Sequence, residues 1–99
     1  MLRAQGALPA ALESYQAALA IAERLAEADP GNADWQRDLA VSLQRAGWIA
    51  AEQGRDADAL ATFRRGLVIM EKLVARAPDH AAFIKDRDWF AAGIAELGD

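Results

Sequence analysis

The chain has 99 residues, with 15 acidic and 11 basic side chains for a net charge of −4, one histidine and no cysteine. That length allows one small domain, residues 1–99, with a modest core, and the acidic balance excludes a nucleic-acid backbone as the expected partner. Without cysteine there is neither a disulfide framework nor a thiolate site, which is compatible with a cytoplasmic protein. Abundant alanine and few β-branched residues favour helices throughout and argue against a sheet.

The first residues carry one arginine and no sustained apolar run, so they do not read as a signal peptide. No stretch approaches the roughly 20 apolar residues needed to cross a bilayer, so no membrane partner is expected. A first helix is predicted over 8–28, with Pro9 suited to its first turn. Its inward stripe is Leu12, Tyr15, Leu19, Ala22 or Ala26, and Leu25. Asp29-Pro30-Gly31-Asn32 stops it, because the residue before proline is pushed out of helical geometry.

Asn32 or Asp34 can cap a second helix over 33–53, whose buried stripe is Trp35, Leu39, Leu43, Ala46 and Ala50. Gly54 can take the left-handed conformation that ends this helix, and Asp56 or Asp58 can cap the next. The third helix, over 57–76, turns Leu60, Phe63, Leu67, Met70, Leu73 and Val74 inward. Gly47 and Gly66 fall inside helices, where each costs roughly 1 kcal/mol relative to alanine. Both are read as places where two helices approach closely. After Ala77-Pro78, Asp79 is the predicted cap of a fourth helix over 80–97. Its apolar face uses Phe83, Phe90 or Trp89, Ile94 and Leu97.

Laid on itself with an offset of about 48 residues, the chain matches in class at many positions. Gly6 meets Gly54, Ala11 meets Ala59, Tyr15 meets Phe63, Leu19 meets Leu67, Leu25 meets Leu73, Pro30 meets Pro78 and Asp38 meets Asp86. Short turns between such copies force antiparallel neighbours. The unit resembles a tetratricopeptide repeat. In that family a small residue lies about two turns before the turn glycine, and a small, aromatic, small series follows it. Gly47, Gly54, Ala59, Phe63 and Gly66 fit those places. The family's usual unit is about 34 residues, so the helices here are extended, as in the long-helix variants of kinesin light chains. The resemblance implies an all-α, α-solenoid-like array of about four helices. The expected competitor is a closed up-down bundle, in which the first and fourth helices would be neighbours.

By this register both ends fall in mid-repeat, which suggests either a piece of a longer array or a homo-oligomer completed between chains. The fourth helix matches only with a deletion of about one turn, which leaves its register open by one position.

Little supports catalysis. His80 stands alone at a helix start, Ser14 and Ser42 have no base nearby, and Gly54-Arg55-Asp56 lacks the spacing of a phosphate loop. Asp34 with Asp38 and Asp86 with Asp88 read as acids complementing helix dipoles, with Arg37 and Lys85 beside them, so neither a metal nor a cofactor is expected. The expectation is a non-enzymatic module that binds a protein or peptide partner. The resemblance implies that the second and fourth helices line the groove. Arg37, Val41, Gln44, Trp48 and Glu52 form one stripe of the second helix, and the comparable face of the fourth includes Lys85, Asp88, Ala92 and Glu96. The candidate contact residues are Arg37, Gln44, Trp48, Glu52, Lys85 and Asp88, with Trp48 as the anchor. Some members of the family clamp a partner's C-terminal carboxylate. The matching positions here are Val41, Gln44, Arg45 and Trp48, of which only Arg45 fits, so that activity is not implied.

Overall fold

A computed structural model describes residues 2–98, with side chains from Glu13 to Gly98. It is all-helical: α1 (Leu2–Ala28), α2 (Ala33–Glu52), α3 (Asp56–Arg76) and α4 (Ala81–Gly98). Among the described residues each helix packs on the next in sequence, and α1 and α4 are not packed neighbours. The helices therefore stack in sequence order as a layer of 44 × 32 × 20 Å, about two helices deep, and do not form a ring closed by the first and last members.

Local chemistry accounts for most of the boundaries. Asn32 caps α2, its side-chain oxygen accepting from the Trp35 amide at 3.1 Å. The C-terminus of α2 closes in a Schellman turn. Gly54 stands at φ +76°, its amide donates to the Ala51 carbonyl at 3.0 Å, and the Arg55 amide donates to Ala50 at 2.9 Å.

Three boundaries differ from the expected ones. α1 begins at Leu2, so Pro9 and Gly6 lie inside it and Gly6 is not a turn glycine. Proline gives up one amide hydrogen bond to the preceding turn, and the flanking Ala4, Gln5, Ala7 and Leu8 are good helix formers that carry the helix past it. α3 has no side-chain cap. Asp58 instead accepts from Arg55 Nη2 at 2.6 Å, and both Asp56 and Asp58 act through the helix dipole. α4 starts at Ala81, capped not by Asp79 but by His80, whose Nδ1 accepts from the Phe83 amide at 3.3 Å. The His80 ring also stacks on Phe83, with centroids 3.7 Å apart.

The core runs along the layer through Ala22, Ala26, Leu39, Leu43, Phe63, Met70, Leu73, Phe83 and Phe90. Two glycines let aromatic rings into it. A Cβ on Gly47 would overlap the Phe63 ring, and one on Gly66 would overlap the Phe90 ring. Of the adjacent pair Trp89 and Phe90 it is thus Phe90 that is buried, which settles the register of α4. Trp35 and Ala46, expected in the buried stripe of α2, are only partly covered.

Leu25 is a correction. It is 40% exposed and its neighbour Ile21 59% exposed, although their counterparts in α3 are buried (Leu73) and partly buried (Ile69). α3 lies between α2 and α4, whereas α1 has α2 on one side only. It meets α2 through Ala22 and Ala26, whose small side chains permit the close approach and leave Leu25 on the flank.

Polar ties hold the layer in register. Gln36 Nε2 donates to the Ala26 carbonyl at 3.2 Å, Arg65 pairs with Glu23 at 2.6 Å, and Arg76 Nη2 donates to the Gly31 carbonyl at 3.0 Å. Being exposed, the ion pair contributes no more than about 1 kcal/mol.

Candidate functional site

Between α2 and α4, over the middle of α3, the layer opens into a cleft of about 460 Å³. Its position follows from three residues. Phe63 rises from α3 between Gly47 of α2 and Gly93 of α4, where a Cβ would lie 3.1 Å from the ring, so the glycines bring both helices down onto the Phe63 ring. That ring is the floor. Trp48 of α2 and Trp89 of α4 stand on either side, 54% and 41% exposed. Trp89 meets Phe63 edge to face at 5.2 Å.

The remaining wall comprises Ala51 and Glu52 on α2 with Ala92, Gly93, Glu96 and Leu97 on α4. Its side-chain polar groups are the two carboxylates and the two indole N–H groups. A smaller recess of about 200 Å³ adjoins it, lined by Tyr15, Gln44, Arg45 and again both tryptophans. There the Arg45 guanidinium lies over the Tyr15 ring, 5.8 Å from its centroid, within the range of a cation–π contact.

Of the expected contact residues, Gln44, Trp48 and Glu52 line this surface and the others do not. Arg37 is committed elsewhere: its Nε pairs with Asp86 of α4 at 3.2 Å, about 11 residues, or three turns, before Trp48. Lys85 lies one turn before Trp89 on the same stripe and outside the lining. Asp88 points off the groove and pairs with Arg87 at 2.9 Å.

Trp89 and Glu96 replace Lys85 and Asp88 as the contribution of α4. The spacing of Phe83 and Phe90, seven residues apart, marks the buried stripe of α4 and places Trp89 at its edge. Tyr15 was assigned to the buried stripe of α1 and is half-buried at the mouth of the recess.

Among the described residues no three histidine or acidic side chains converge as a cation site, and no helix is long and apolar enough to cross a membrane. The chain matches no protein-family model, no curated protein and no solved structure.

Proposed function

We propose that the chain is a non-catalytic protein-interaction module of tetratricopeptide type, which holds a peptide or helix of a partner protein in the groove between α2 and α4. The observation that carries this reading is the pair Trp48 and Trp89, both left about half exposed across one apolar floor. Large aromatics left in water in a concave site are the residues that anchor interfaces. The repeat reading is supported by the agreement between spacing and packing. Gly54 makes the turn, and Gly47 and Gly66, the small positions of the unit, are the ones that accept aromatic rings. The absence of cysteine is compatible with a cytoplasmic module.

The test is a selection of short random peptides displayed against the whole chain, followed by binding to Trp48→Ala. Because Trp48 is an exposed side chain, the variant should keep its helical circular dichroism and lose at least tenfold in peptide affinity, the range expected for an interface anchor. Unchanged affinity for every selected peptide would refute the groove.

A second reading, assembly with further helical units or with copies of itself, is favoured by Ile21 and Leu25, apolar side chains that face water in α1 while their α3 counterparts are covered. Light scattering coupled to size exclusion, from micromolar to near-millimolar chain, tests it. A higher mass that Leu25→Glu abolishes supports assembly, and a monomer throughout removes self-association.

A further inference from the structure

Resting on the groove reading, we propose that the cleft between Trp48 and Trp89 receives a cationic side chain, lysine or arginine, from the partner protein. Two carboxylates, Glu52 and Glu96, line it from opposite helices, and no basic side chain does. Among the described residues neither carboxylate takes part in a salt bridge. Of the basic groups nearby, Arg37 is engaged by Asp86, Arg55 by Asp58, Arg87 by Asp88 and Arg45 by the Tyr15 ring, while Lys85, one turn before Trp89, lies outside the lining.

The remaining lining fits the same guest. Ala51, Ala92, Gly93 and Leu97 offer an apolar wall for a methylene stem, while Phe63, Trp48 and Trp89 supply the ring surfaces that attract a cation. The two carboxylates of the lining are acceptors for the N–H donors of such a guest. An acidic guest would set a third negative charge beside two, and an apolar one would desolvate both carboxylates without a partner.

The same peptide selection separates this proposal from the groove reading. The expected result is a lysine or arginine at a fixed position of the Trp48-dependent peptides, next to apolar residues. Replacing it by norleucine should weaken binding roughly tenfold, the size of a desolvated cation–π contact. The double variant Glu52→Gln/Glu96→Gln, isosteric and folded by circular dichroism, should lose a similar factor. It should also flatten the decline of affinity as salt rises from about 0.05 to about 0.5 M. Peptides that depend on Trp48 but carry an acidic or uncharged residue there, or that bind the double variant equally well, would overturn the cationic guest and leave the groove standing. Selected peptides that do not depend on Trp48 would overturn both. Butylammonium and butylguanidinium salts, titrated against the chain, show whether the cation alone suffices. Affinity for these equal to that of the peptide would overturn a protein guest in favour of a small amine.

Discussion

Replacing Gly66 by alanine should destabilise the protein, against the trend for glycine in a helix. Alanine in the middle of α3 gains about 1 kcal/mol of intrinsic helix propensity. The methyl group, however, would fall on the Phe90 ring, overlapping its edge at Cε1 and Cζ. Phe90 is fully buried, so the ring has no open space to swing into. α3 and α4 must therefore separate. Overpacking of this kind costs typically 1–3 kcal/mol, and a gap of about 0.5–1 Å forfeits a quarter to a half of each dispersion contact it opens. Taking about 3 kcal/mol for the clash and subtracting the propensity gain leaves a net loss of about 2 kcal/mol. In a domain of this size that lowers the melting temperature by roughly 8–16 °C.

The assay is urea unfolding followed by circular dichroism for Gly66→Ala, Phe90→Leu and the double variant. Leucine lacks the two closest ring atoms, Cε1 and Cζ, so the double variant should be more stable than the sum of the two single losses by about 1–2 kcal/mol. A single Gly66→Ala variant more stable than the parent by about 1 kcal/mol would refute the close approach of α3 and α4.

Three further outcomes are expected. His80→Ala should cost about 1 kcal/mol, the usual loss of a helix cap, while His80→Asp should be at least as stable as the parent because aspartate both caps and complements the dipole of α4. Arg37→Ala should lose at most about 1 kcal/mol of stability, its partner pair being partly exposed, and should leave the affinity for any groove-bound peptide unchanged. Leu43→Ala, at a fully buried position of α2, should cost about 2–5 kcal/mol in the same urea assay.

The residue pattern made the four helices, their short connections and the Gly54 turn legible, because periodicity and turn chemistry are local. It was least reliable where a neighbour decides. Leu25 carries the same three-and-four spacing as the buried stripe, yet the approach of α1 to α2 is set by Ala22 and Ala26, and hydrophobicity alone ranks leucine above alanine. Arg37 and Gln44 share one stripe of α2, and nothing on that helix says that Asp86 of α4 will claim the arginine. On α4 the missing turn hid the register. Trp89 and Phe90 are adjacent, and the slot opened by Gly66 receives Phe90, in step with the seven-residue spacing from Phe83. At the N-terminus, Pro9 is a good first-turn residue, but a favourable start signal does not prevent a helix from running through it. The exposure of Trp48 was legible because it lies off the buried stripe of its own helix, a property the sequence contains in full.

The most direct test of the account reports from the groove itself. With Trp35 changed to phenylalanine, Trp48 and Trp89 are the only indoles left in the chain. Saturation with a selected peptide should shift their emission to the blue and protect them from quenching by acrylamide, since both now stand about half exposed at the mouth of the cleft. Emission and quenching unchanged while the peptide is demonstrably bound would place the partner on another face and contradict the groove between α2 and α4.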